Sequence, residues 1–336
     1  MTATIQPERI LRELADLWVS LAQEHEPSTG VLRACAMTLV VLAEAEEDPA
    51  GVGETLAALM RDHPSRAIVV RVDGAGQPLS ARVLAQCWMP FGSRQQICCE
   101  QIEISATEQA LTEVAAVVLP LTAADLPVIL WCRIPRLVAS PGFSEFARLA
   151  TKTIMDSAAA PDPRTALRQV AGLIAGGQLL ADLPWTRLTR WRELIAQVFE
   201  NPVYFAHLSA ISEVKIVHAG AAAPVSAWYL AAWLRNCLEK AGSRPRIGFE
   251  TTSDRIAGNL GHVELFAPDF HLSLGRVDGS AAEIRVNSLV SRTVFAKPNE
   301  YEQLREELSI SGRDPVFEES LALAAKLVIE EPGPHP

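Results

Sequence analysis

No stretch of this sequence stays apolar for long enough to cross a bilayer. The longest runs, Ala34 to Ala43 and Ala115 to Leu121, fall well short of the roughly 20 residues that a spanning helix needs. Residues Met1 to Arg9 also lack the basic-then-apolar layout of a secretory signal. The expectation is a soluble, cytoplasmic chain with no membrane partner. Basic charge is in short supply too: 30 Lys and Arg against 40 Asp and Glu leave a net charge of -10. Nonspecific nucleic-acid binding relies on a basic face that neutralises phosphates, so the balance argues against a nucleic-acid partner.

Cysteine is sparse. Cys35, Cys87, Cys98, Cys99, Cys132 and Cys237 sit mostly inside apolar segments, and in a reducing compartment they are expected to be free, small hydrophobes. Were Cys98 and Cys99 on a strand, one would face the core and the other solvent.

The motifs of common chemistries are missing as well. Gly51-Val52-Gly53 precedes a helix but has no third glycine, and Gly74-Ala75-Gly76 leads into a strand, so neither completes a dinucleotide fingerprint. No glycine-rich loop ends in Lys-Ser or Lys-Thr. The seven histidines form no pair at a ligand spacing, and no Cys-x-x-Cys occurs. No serine occupies a nucleophile elbow. The sequence supplies no catalytic residue, metal site or cofactor site.

What is present is ordinary globular material, 49% hydrophobic and 21% charged over 336 residues, enough for two domains. Ile10, Leu14, Leu17, Trp18 and Leu21 recur at helical spacing. Cys35–Leu42, Ala67–Val72, Leu79–Trp88, Ile97–Ile104 and Val128–Cys132 read as strands, with helices over Glu54–Asp62 and Thr107–Val118. That alternation predicts an α/β domain with a mixed sheet. Phe143 to Phe199 reads as mainly helical.

In the second half, strands are expected at Val214–His218, Ile247–Thr251, Val263–Phe266, Phe270–Leu274 and Glu283–Asn287. Asp278-Gly279 forms a hairpin, Ser226 caps a helix, and Asp314-Pro315 starts the last one. The predicted domains are 1–160 and 161–330, followed by a tail at 331–336. Arg71-Val72-Asp73-Gly74 recurs as Arg276-Val277-Asp278-Gly279. The repeat is compatible with an ancient duplication, although four residues also recur by chance.

The segment DLPWTRLTRWREL, Asp182 to Leu194, predicts one amphipathic helix. Trp185 and Trp191 read as core residues or as supports of a contact surface, and Arg187 and Arg190 as contacts to a partner or an anion, because Arg beside Trp is the composition of interface hot spots. Arg66, at the handover from a helix to a strand, is a further candidate anion contact.

Several of these segments, in order, resemble the glucose-6-phosphate dehydrogenase assembly protein family, OpcA. They are ILRELADLW (Ile10–Trp18), RACAMTLVVLAE (Arg33–Glu44), HPSRAIVV (His63–Val70), LPLTAADLPVILW (Leu119–Trp131), the Trp–Arg segment, and DPVFEESLALA (Asp314–Ala324). The resemblance implies a non-catalytic α/β protein of carbohydrate metabolism that binds glucose-6-phosphate dehydrogenase as its partner. It would act as an allosteric activator, promoting the active oligomer in the oxidative pentose phosphate pathway. Trp185, Arg187, Arg190 and Trp191 would form or support that contact. The alternative is a sugar-phosphate-binding sensor or a carbohydrate enzyme, with Arg66, Arg187 and Arg190 clamping phosphate.

Overall fold

The computed structural model describes residues 6–24, 31–73, 79–88, 96–252, 260–277 and 279–330. The elements begin with α1 (Pro7–Glu24), β1 (Val31–Arg33), β2 (Met37–Glu44), α2 (Pro49–Leu59), β3 (Ser65–Asp73), β4 (Ser80–Trp88) and β5 (Gln96–Thr107). After them come α3 (Leu111–Val118), β6 (Val128–Cys132), α4 (Pro141–Leu149), β7 (Lys152–Met155), α5 (Pro163–Ala175) and β8 (Leu180–Asp182). Then follow α6 (Leu183–Thr186), α7 (Thr189–Phe199), α8 (Pro202–Phe205), β9 (Glu213–Ala219), α9 (Val225–Lys240) and β10 (Arg246–Thr252). The chain continues with β11 (Leu260–Ala267), β12 (Phe270–Arg276), β13 (Ala281–Val286), β14 (Leu289–Val294), α10 (Glu300–Ser309) and α11 (Pro315–Glu330).

The chain packs as two units. The first is Met1–Asp156 with Gln178–Ala181 and Glu300–Ser311; the second is Ser157–Gly177, Asp182–Asn299 and Gly312–Pro336. The units are therefore not simply consecutive halves, because 178–181 and 300–311 pack with the first.

In the first unit the central strands carry continuous apolar runs, Leu39–Ala43 in β2 and Ala67–Val70 in β3, and are buried on both faces. Every residue of β3 is buried, and β2 is buried from Met37 to Ala43, as expected of a parallel sheet covered on both sides. The strand order is β1-β5-β3-β2-β6-β7-β8, with β4 on β5. The pairs β5–β3, β3–β2, β2–β6 and β6–β7 are parallel, and β4 runs antiparallel to β5. From β5 to β8 this is the 3-2-1-4-5-6 order of the doubly wound dinucleotide-binding fold.

The sequence reading missed β7 and β8 because strands of four and three residues are too short to show a period of two. Helix α2 starts at Pro49, five residues earlier than the apolar spacing suggested. Asp48 caps it by accepting from Ala50 N at 2.9 Å, so Gly51 and Gly53 lie inside a helix and not in a turn. Gly74-Ala75-Gly76 falls outside the described residues.

Cys98 and Cys99 are both buried, at 0% and 2% exposure, which corrects the expected core-and-solvent split. A strand covered on both sides has no solvent face. The expectation that all six cysteines are free is corrected as well: Cys87 and Cys98, opposite one another on β4 and β5, form a disulfide.

The second unit has the strand order β10-β9-β11-β12-β13-β14. Strands β9 and β10 are parallel and α9 connects them, while the remainder is an antiparallel meander. Phe270, Leu272 and Leu274 are buried while His271 and Ser273 are half-buried, which is the alternation of a sheet with one covered face. Strand β14 was not expected, because its residues are mostly exposed on an edge and carry no apolar alternation. Asn287, at φ 51°, makes the two-residue turn that joins it to β13.

Helix α9 is not capped by Ser226; it begins at Val225 after Pro224 and has no side-chain cap. Asp314 does cap α11, accepting from Val316 N and Phe317 N at 3.0 Å. The two sheets have different orders; of the repeated tetrapeptide, Arg71–Asp73 end a buried central strand in one unit and Arg276 ends β12 in the other, while Gly74 and the Asp278 of the expected hairpin turn lie outside the described residues.

Candidate functional site

In a doubly wound sheet, ligands bind outside the carboxyl ends of the strands where the order reverses. Here that point lies beyond β2 and β6. The turn after β2 runs Glu44-Ala45-Glu46-Glu47-Asp48-Pro49. It holds four carboxylates and no glycine, where a dinucleotide needs a close backbone approach and an exposed helix N-terminus. Asp48 already accepts from the Ala50 amide in the first turn of α2. Arg133, the residue after β6, donates to Glu47 at 2.9 Å and pairs with Glu300 at the start of α10.

Arg136 pairs with Glu44, and Arg71 Nη1 donates to the Glu47 carbonyl at 3.3 Å. Burial pulls the Arg133 guanidinium down, but Glu47 and Glu300 outweigh it and hold its pKa above the ordinary value. A diphosphate would displace these bonds and meet carboxylates. The residues present do not fit a dinucleotide.

The far end of α10 is anchored by a buried ion pair. Lys152 Nζ donates to the Glu307 carbonyl at 2.6 Å, to Glu307 Oε2 at 3.1 Å and to the Ile310 carbonyl at 3.1 Å. This clamp holds Glu300 in the crevice.

Arg66, the candidate anion contact, is spent internally. Its Nε donates to Glu100 at 2.5 Å and its Nη1 to the Leu121 carbonyl at 2.8 Å. It is the second residue of β3, at the amino end of the sheet, opposite the ligand end. Glu100 also accepts from Trp18 Nε1 at 2.8 Å.

The other four candidates lie in the second unit. The expected single helix is broken there into α6 and α7, with Arg187 and Leu188 between them. Trp185 and Trp191 are 3% and 2% exposed. Trp185 donates to Asp314 Oδ2 at 3.1 Å, and the Arg192 guanidinium lies 3.5 Å from its ring. Trp191 stacks edge-on against Phe295 at 5.0 Å. Both tryptophans are core. Arg190 is on the outside, paired with Glu193 at 3.2 Å.

Arg187 lines a cavity of about 400 Å³ with Leu188, Trp191, Ser226, Leu260, Arg276 and Lys297. Among the described residues no carboxylate lines it, and the N-terminus of α9 borders it through Val225 and Ser226. Arg276 Nη1 donates to the Phe295 carbonyl at 3.2 Å, and its guanidinium lies 4.4 Å from the Phe295 ring. Burial lowers its pKa.

Beside this cavity Asp182 is fully buried and accepts from Ser157 N at 2.9 Å and from Tyr229 OH at 2.7 Å. Burial first, then the Asp182 charge, pushes the Tyr229 hydroxyl well above its ordinary pKa. Tyr229 thus stays a neutral donor and the cluster acts as a structural pin. Burial also pushes the Cys132 thiol up to about 12, which removes its thiolate at neutral pH.

Two family models match the chain in tandem. Residues 56–172 match the glucose-6-phosphate dehydrogenase subunit N-terminal domain, and 178–321 match the C-terminal domain of the same subunit. The chain belongs to the OpcA glucose-6-phosphate dehydrogenase assembly family. OpcA of Nostoc punctiforme, named for the OxPP cycle, is 31% identical over 179 residues, covering 53% of this chain and 38% of that protein. The Synechocystis protein of the same name is 31% identical over 175 residues, covering 49% and 35%. These matches span well under half the length of either relative.

Among solved structures, a 3-ketoreductase from Actinomadura kijaniata is 11% identical with a TM-score of 0.48, over 87% of this chain and 96% of that one. A Gfo/Idh/MocA family oxidoreductase from Vibrio cholerae is 10% identical with a TM-score of 0.44, over 88% and 97%.

Arg133, Glu300, Arg276 and Lys297 were missed from sequence. The acidic run after β2 was a usable signal, since carboxylates stood where the fold wants glycine. The cationic cavity gave none, because its side chains are scattered between residues 187 and 297. No helix among the described residues is long and apolar enough to cross a membrane.

Proposed function

We propose that this chain is a non-catalytic accessory subunit that binds glucose-6-phosphate dehydrogenase. It favours the enzyme's active oligomer and so acts in the oxidative pentose phosphate pathway. The observation that carries the non-catalytic part is the crevice: the strand order of a dinucleotide-binding sheet is kept, while Glu47, Arg133 and Glu300 stand where the cofactor would lie. The partner comes from the family, whose domains are described as parts of a dehydrogenase subunit.

The mechanism is linkage. A subunit that binds the active form of an enzyme better than the inactive one shifts the population by that difference in affinity. A tenfold shift takes only about 1.4 kcal/mol. The contact is assigned to the surface bearing Arg187 and Arg190, with Trp185 and Trp191 packed beneath it.

The test is size-exclusion chromatography of the chain mixed with its cognate dehydrogenase, with activity assayed across the fractions. Co-elution with raised activity is expected, and a folded Arg187→Ala/Arg190→Ala variant should bind at least tenfold more weakly. An enzyme unchanged in both mass and rate would remove the proposal; wild-type binding by the double variant would move the contact elsewhere.

A further inference from the structure

The cavity of the second unit gathers positive charge. Three cationic side chains, Arg187, Arg276 and Lys297, converge on it from α6–α7, the end of β12 and the segment after β14. Among the described residues no Asp or Glu lines its walls. Arg276 is the telling residue. It is half-buried, and among the described residues no carboxylate lies within ion-pair distance of it; its partners are a carbonyl and two aromatic rings. Partly desolvating a cation without a counter-charge costs free energy, and an anionic ligand would recover it. Elsewhere in this unit exposed guanidiniums do find carboxylates, as Arg285 and Arg292 find Glu283 and Arg246 finds Glu213.

We propose that this cavity binds a small phosphate monoester. Arg187, Arg276 and Lys297 hold its phosphoryl group, and its body lies against Leu188, Trp191 and Leu260. The amino end of α9, which has no side-chain cap, adds the positive end of a helix dipole on the same side. Three cations suit a phosphate dianion better than a single carboxylate. A volume of about 400 Å³ suits a metabolite and falls in the range of ordinary ligand sites. The arginine clamp expected from Arg66, Arg187 and Arg190 is thereby replaced: only Arg187 belongs to it.

The site lies wholly on this chain, so its test needs no dehydrogenase and its failure is separable from failure of the accessory role. Isothermal titration calorimetry of the purified chain would use glucose 6-phosphate, inorganic phosphate and glucose as probes. Glucose 6-phosphate is expected to bind, glucose to give no heat, and inorganic phosphate to bind more weakly than the ester. Arg276→Gln and Lys297→Gln should each weaken the ester at least tenfold, and raised salt should weaken it further. Lys297 is exposed, so that variant carries the test even if Arg276→Gln fails to fold. The proposal is overturned by absence of heat with both phosphorylated probes. It is equally overturned by ester binding that Lys297→Gln leaves unchanged, or by ester and inorganic phosphate binding alike.

Discussion

Two recesses of this molecule make opposite use of charge. The crevice of the first unit sits where the fold ordinarily takes an anionic cofactor, yet it carries Glu44, Glu46, Glu47, Asp48 and Glu300 and closes on Arg133. The cavity of the second unit sits where β9 ends and α9 begins, and among the described residues it gathers Arg187, Arg276 and Lys297 without a carboxylate. A phosphate held about 5 Å from an unpaired carboxylate is repelled by roughly 3 kcal/mol at an effective dielectric of about 20. Topology sets where a recess forms. The side chains lining it decide which sign of ligand it accepts, and here the fold's usual ligand end is the one that refuses anions.

The largest test of that contrast removes the clamp behind the crevice. Lys152→Ala takes the ammonium away from the Glu307 carboxylate, whose side chain is only 6% exposed. Breaking one side of a buried pair typically costs about 3–5 kcal/mol, read as a lower urea midpoint. The paired replacement Lys152→Met with Glu307→Leu should recover most of the loss. A single variant within about 1 kcal/mol of wild type would mean that the pair does not secure α10.

A smaller effect is expected at the crevice itself. Arg133→Ala leaves Glu47 and Glu300 facing each other. Both carboxylates are partly solvated, at 28% and 37% side-chain exposure, so the cost should be about 2 kcal/mol and not the full buried-pair value. The double variant Glu47→Gln/Glu300→Gln should be milder, because it removes the repulsion. If Arg133→Ala instead gave a protein that bound NAD or NADP with micromolar affinity, the crevice would be a masked cofactor site, and the contrast with the second unit would fail.

These outcomes bear on what the sequence could and could not disclose. Strands β2, β3 and β6 were legible because continuous β-branched runs have few alternatives, and Asp314-Pro315 was legible because cap chemistry is local. Strands β7 and β8 were not, since each is fixed by its neighbours and not by its own pattern. The Trp185–Trp191 segment showed its apolar face correctly, but its break at Arg187–Leu188 has no local marker. Arg66 was misplaced for a topological reason: sequence gives the strand it lies on but not which end of the sheet takes ligands. Arg276 joined Arg187 only once the chain had folded, across 89 residues of sequence (276 minus 187).

The finest comparison lies between two helix starts in the second unit. Helix α5 carries its own anion, Asp162, which accepts from Arg164 N and Thr165 N at 3.1 Å; α9 has none and opens on the cationic cavity. The Thr165 hydroxyl, foremost, with the two amides and the Arg168 charge, holds the Asp162 carboxyl below its ordinary pKa against the opposing effect of burial. A depressed carboxylate favours the folded state above its unfolded pKa, near 4, and that contribution is lost as pH falls through the lower folded value. Asp162→Asn keeps the cap but not the charge, so at pH 7 it should cost about 0.5 kcal/mol through the lost dipole interaction. The gap from wild type should narrow in paired urea titrations as pH falls below the unfolded value and through the lower folded one. A gap that stays constant with pH would show that the carboxylate acts at α5 as a hydrogen-bond acceptor alone. A helix start in this unit would then show no measurable preference for negative charge at α5, where a capping carboxylate is already in place.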